Sequence, residues 1–244
     1  MFKSHQLSKL SNADFLSVIS DSFGAFLNKG TSRSTDKLKP LHGAIAQDIA
    51  ERLGGDYEVW SQGYLFDREA DMQGRYVNKK VDITIKYKKK PIAGIAVKFV
   101  MQNYSQNSNN YFENMLGETA NIRCNHCPYF QVFIIFDRLP YYKKDKTISK
   151  WETFSDHNIS KYVKLSQDDI DVYFHTPNKT LIYVVHLPDP SVDIKTQEEY
   201  MNYYRLHDHN LTLSSHKYDA FRSAVILNDY ERFIEKVYHT IKAL

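Results

Sequence analysis

Cysteine is nearly absent: Cys124 and Cys127 are the only two in 244 residues. That excludes a disulfide scaffold and points to a reduced, cytoplasmic chain. In that compartment the glycosylation sequons at Asn158, Asn178 and Asn210 carry no meaning. No run approaches the roughly 18 apolar residues of a membrane span, so no membrane partner is expected. The opening "MFKSHQLSKLSNADF" lacks the apolar core of a signal peptide. There is no Gly-rich phosphate loop and no nucleophile-elbow serine, which removes support for kinases and hydrolases built on those motifs. Neither charge sign dominates: the net charge is +3 and the pI about 8.6. A nucleic-acid partner is therefore permitted but not required.

What remains is globular. The chain is 42% hydrophobic and 14% aromatic, enough for a sizeable core in one domain over residues 1–244. Leu16, Ile19 and Phe23 share a helical face within an N-terminal helical segment, 1–30. Residues 28–40 read as a loop by composition. Leu41, Ile45, Ile49 and Leu53 recur every four residues and Gly54-Gly55 ends that helix. A strand is expected over 56–66, a polar and mobile loop over 67–78, a hairpin over 79–100 and a polar connection over 102–110. A second helix over 110–123 and a strand buried on both faces over 129–139 follow. The core then spans about 41–140. A strand at 180–187 and a closing helix at 229–244 belong to a region from about 150 that serves decoration, recognition or dimerisation. The order helix, three strands, helix, strand implies an α/β fold with a mixed central sheet flanked by helices.

The hairpin "KKVDITIKYKKKPIAGIAVKFV" (79–100) places Asp82 among Val81, Ile83 and Ile85, and Lys98 between Val97 and Phe99. A turn centred near Lys90 sets the two charges directly opposite, with Cβ atoms about 4.5–5.5 Å apart. A slip of one residue sends them to opposite faces. A cross-strand ion pair on a wetted face is the plain reading. The small Gly94 and Ala96 beside Lys98 suggest an open floor instead.

A helix with an acid, a strand, "V-D-I-x-I", a turn and "I-A-V-K" before another helix resembles the PD-(D/E)xK nuclease superfamily, which includes type II restriction endonucleases and junction resolvases. The resemblance covers roughly 41–137. It implies a restriction-endonuclease-like core, Mg²⁺ as cofactor, Asp82 as first metal-binding acid, Lys98 as the lysine that orients or activates water, and the Val97 carbonyl as a further metal ligand. Val81 stands at the proline position and Ala96 at the second acid. A glutamate from the following helix is then required, Glu113 by preference and Glu118 next. Glu51 matches a helical acid that contacts the attacking water. Gln102, Asn103, Asn107 and Asn109 are amides suited to base edges and phosphates. The implied function is a Mg²⁺-dependent endodeoxyribonuclease on double-stranded DNA, a type II restriction enzyme acting as a homodimer. The alternatives are an inactive DNA-binding module, with Ala96 as the lost acid, and a structure-specific resolvase or repair nuclease.

Three further signals rank lower. The lysines of "KYKKKP" suit solubility as well as DNA. "CNHC" has knuckle spacing without a second cysteine pair, and His207, His209 and His216 are metal candidates without a defined arrangement.

Overall fold

The structure, a computed structural model, describes residues 9–29, 35–218 and 220–244. Helix α1 (Asn12–Lys29) buries Phe15, Ile19, Phe23 and Phe26 along one stripe, at the three- and four-residue spacing of a helix face. The expected N-terminal helical segment over 1–8, and the expected loop over 30–34, lie outside the described residues. The rest of that loop is helical: a 3-10 turn, Thr35–Leu38, runs into α2 (Lys39–Leu53). Pro40 stands in the first turn, where its missing N–H removes no intrahelical bond. Gly54, at φ +85°, ends α2.

Strand β1 (Tyr57–Ser61) is shorter than the apolar pattern to Phe66 suggests. Gly63 and Leu65 take positive φ and turn the chain away from the sheet. The polar segment expected as a mobile loop holds β2 (Ala70–Met72), which pairs antiparallel with β3 (Lys79–Val81). Strands β4 (Ile83–Tyr87) and β5 (Lys90–Val100) form the hairpin. Helix α3 (Tyr104–Arg123) begins inside the expected polar connection. Buried Tyr104 anchors its first turn, and the Glu152 carboxylate accepts from the Ser105 N–H at 3.2 Å. Asparagine and serine are poor helix formers, but here the tertiary anchors override the propensity.

Strand β6 (Tyr129–Phe136) is buried along its whole length. A side hairpin of β7 (Arg138–Tyr142) and β8 (Ile148–Thr153) leads to α4 (Asp156–Leu165). Then come β9 (Lys179–His186), α5 (Gln197–Leu206), β10 (Thr212–Leu213), β11 (Val225–Leu227) and α6 (Tyr230–Lys242). The main sheet has seven strands in the order β1-β4-β5-β6-β9-β10, with β11 also against β9. The β1–β4 and β4–β5 pairs are antiparallel, whereas the β5–β6 and β6–β9 pairs are parallel. The sheet is therefore mixed, with α2 against β1, α3 against β6 and α6 against β9. The region after 150, expected to serve decoration, recognition or dimerisation, supplies an inner strand, β9. Among the described residues no helix is long and apolar enough to cross a membrane.

Candidate active site

The hairpin turn consists of Lys88 and Lys89, both at positive φ (47° and 67°), with Tyr87 facing Lys90. It is thus a two-residue turn of the type that matches strand twist, not one centred on Lys90. On that register alone Asp82 would face Ile95 and share its side, leaving Lys98 on the other. Between Ile85/Lys86 the pairing shifts by one, because Ile85 faces Ala93 while Lys86 faces Pro91. Ile92 is the extra residue of a bulge. The shift restores the parity: extended one step past the last pair, Ile83–Ile95, the register sets Asp82, in the bend before β4, on the face of Lys98, and both line one cavity. The expected direct opposition is corrected to a diagonal.

Asp82 sits where the chain breaks from β3 into β4. Its Oδ2 accepts the Val97 N–H at 2.7 Å, and the Ser61 hydroxyl donates to its carbonyl at 2.8 Å. The carboxylate is thereby held over a cavity of about 280 Å³ lined by Lys79, Asp82, Ala96, Lys98, Glu118 and Gln131, among others. Burial pushes the Asp82 carboxyl up to about 6, against the Val97 hydrogen bond; Glu118 adds to the rise, and Lys79 and Lys98 oppose it. Burial also lowers Lys98, with Asp82 and Glu118 opposing. The Lys98 ammonium lies 4.4 Å from the centre of the Tyr111 ring.

Gly94 is not open floor. A Cβ there would meet Met72 Sδ at 2.7 Å, and Val81 and Tyr129 close in beside it. Its smallness lets β2 and β3 pack down, in a small cluster with Ile122. The open position is Ala96. Gln131 faces it across the parallel β5–β6 pair and carries the polar group that breaks an apolar strand.

Glu118 reaches the cavity and Glu113 does not. On α3 Glu118 lies three residues after buried Met115 and four before buried Ile122, whereas Glu113 is exposed. Burial lowers the pKa of Lys161, on α4, and Glu113 opposes that shift instead of facing the cavity. Glu51 is exposed on α2, takes a hydrogen bond from Gln47 at 2.8 Å, and lies outside the cavity lining. Glu118 is paired with Lys79 at 2.5 Å.

Of the amides, Gln102, Asn103 and Asn107 line an adjoining cleft that shares Lys98 and Tyr111 with the first. Asn103 is committed to the fold: its Oδ1 accepts the Tyr142 N–H at 2.8 Å. Gln102 accepts from Gln197 at 3.2 Å, and Asn109 is exposed outside the cleft. Cys124 and Cys127 are free thiols. His209 binds Ser20 and the Tyr204 carbonyl, while His216 binds Asp156. Among the described residues no group of three or more His, Cys, Asp and Glu gathers for a metal.

Lys79, Tyr111 and Gln131 escaped the sequence reading. The lone amide inside "YFQVFIIF" was the available signal for Gln131, and the helical repeat through Met115 and Ile122 the signal for Glu118 over Glu113.

An acid at a strand break, a lysine on the adjacent strand and a helical acid across one cavity define the class by geometry: an α/β protein with a charged cleft at the end of its hairpin. No family model, curated protein or solved structure matches the chain.

Proposed function

We propose that the chain is a Mg²⁺-dependent endonuclease of the PD-(D/E)xK superfamily that cuts double-stranded DNA, in the manner of a type II restriction enzyme acting as a homodimer in the cytoplasm. The observation that carries this reading is the meeting of Asp82, Lys98 and Glu118 around Ala96 in one cavity. Glu118 takes the role of the missing second acid.

The donor set suits a hard cation. Among the described residues Asp82 accepts one hydrogen bond, which leaves its carboxylate with acceptor capacity toward the cavity. Magnesium takes one or two carboxylates and completes its shell with water and phosphate. Asp82 and Glu118 would hold it, with Gln131 and the Val97 carbonyl beside them. When bound, the metal neutralises phosphate charge and favours ionised water. Hydrolysis adds a water oxygen to phosphorus, breaks a phosphorus–sugar oxygen bond, and moves one proton from the water and one to the leaving oxygen. Lys98, with its basicity lowered by burial, would donate to a phosphate oxygen or exchange that proton. Lys79 and Lys80 add positive potential on the cavity wall.

A second reading, a DNA-binding module without catalysis, is favoured by the Lys79–Glu118 pair, which already neutralises the helical acid. Incubation of purified protein with supercoiled plasmid, in Mg²⁺ or in EDTA, separates the two. The enzyme yields Mg²⁺-dependent discrete fragments, and junction-limited nicking would indicate a resolvase instead. Asp82→Ala, Lys98→Ala and Glu118→Gln lose at least about 100-fold in cutting rate, the scale of one general acid–base group. Glu113→Gln and Glu51→Gln retain activity within a few-fold. Shifted but uncut DNA with the wild-type protein refutes the enzyme.

A further inference from the structure

Between β2 and β3, residues 73–78 place two apolar side chains in water: Tyr76 is 82% exposed and Val77 62%. Their backbone is nonetheless fixed. Asn121, buried on α3, accepts both the Tyr76 and Val77 N–H groups at Oδ1 (2.9 and 3.3 Å) and donates from Nδ2 to the Val77 carbonyl (2.8 Å). The Asn121 carbonyl accepts the Arg75 N–H at 2.7 Å, and Asn125 donates to the Gln73 carbonyl at 2.9 Å. Gly74 permits this approach, since a Cβ there would fall 2.0 Å from Asn121 Nδ2. A rigid backbone holds side chains that the fold does not use. The segment 73–80 carries Arg75, Lys79 and Lys80 and no acid, and its last two residues line the Asp82 cavity.

We propose that this loop is a DNA wedge: Tyr76 and Val77 enter the groove beside the phosphate bound at Asp82 and Lys98, stacking on bases there, while Arg75 contacts the backbone. The proposal rests on the nuclease reading and adds how the substrate is gripped. Apolar side chains inserted between base steps unstack and bend duplex DNA. Fixing the loop beforehand removes the ordering cost that binding would otherwise incur.

Binding to a fluorescein-labelled duplex of about 30 base pairs, followed by anisotropy both in Ca²⁺, a hard cation that fills a carboxylate site, and in EDTA, between about 50 and 200 mM salt, tests it. Tyr76→Ala is expected to weaken binding at least about tenfold, the scale of a lost base–aromatic stack, with an unchanged Tm because the side chain is exposed. Arg75→Ala is expected to lower the log–log salt slope by about one. Asn121→Ala, which keeps Tyr76 but releases the loop, weakens binding as well. If the wild type binds and Tyr76→Ala binds equally, the wedge is refuted and the nuclease reading stands. If the wild type does not bind duplex at all, the nuclease reading falls and the wedge with it. Tyr76→Ala that turns a dimer into a monomer with duplex affinity intact makes the loop a protein interface and also overturns the proposal.

Discussion

Burial raises the Asp82 carboxyl to about 6 from 3.8, so the folded chain holds a proton there that the unfolded chain has released. Between these values the folded state binds more protons, and stability falls as pH rises through the window. The full penalty is present above the folded pKa and absent below the unfolded one. In EDTA at pH 8, Asp82→Asn should therefore stabilise the protein by about 1–3 kcal/mol. At pH 3.5 the gain should vanish; urea denaturation at both pH values measures it. A destabilised Asp82→Asn at pH 8 would mean that the carboxylate is structural. Lys79 carries a second prediction. Its ammonium neutralises Glu118, and both side chains are about a third exposed or more, so the pair is worth little. Lys79→Met should tighten Mg²⁺ binding by up to about fivefold, read as the midpoint of the Mg²⁺-dependent rise in Tm. Weaker Mg²⁺ binding in the variant would assign Lys79 a different role. Asp82 and Lys98 were legible as charges within apolar alternation. Which glutamate faces the cavity depended on the phase of α3, and the amide-rich start of that helix hid its phase.

The hairpin shows how a motif can be legible while its geometry is not. Alternation in β4 and β5 was plain, yet the face shared by Asp82 and Lys98 depends on one extra residue, Ile92. Nothing in "KKKPIAG" distinguishes a bulge from a longer turn, since positive φ at Lys88 and Lys89 is uncommon for residues with side chains. The wall of the cavity is α3, and Gly117 lies in its middle, exposed, with open space where a Cβ would stand. A helix-interior glycine costs about 0.5–1 kcal/mol relative to alanine. Gly117→Ala should raise the unfolding free energy by that amount in urea and, under the nuclease proposal, leave plasmid cleavage unchanged. A loss of cutting without loss of stability would mean that the helix must flex beside Glu118.

On the scale of the whole chain, the contiguous segment 41–140 contains the site but not the fold. β6 is flanked by β5 and by β9, whose pairing partners lie some fifty residues further along: Phe133 faces Ile182, and Ile135 faces Val184. A strand buried on both faces announces that it has neighbours, but not which segment provides them. Beyond β9, α6 buries Phe233, Ile234 and Val237. Its Tyr230 hydroxyl donates to Asp48 at 2.9 Å, beneath the Asp48–Arg52 ion pair on α2. That pair is almost inaccessible, with side chains 2% and 5% exposed, and removing one partner of such a group costs several kcal/mol. A fragment of residues 1–150 would thus lose one neighbour of β6, leave a long apolar edge unpaired, and strand Asp48 without its hydroxyl. Edges of that kind aggregate. The fragment should be insoluble or, if refolded, should show no cooperative thermal unfolding by circular dichroism. The full chain should melt in one transition. A soluble, cooperatively melting 1–150 fragment with a Tm that rises in Mg²⁺ would place the whole proposed metal site and a complete fold within the first 150 residues, and β9 and α6 would then be additions to it.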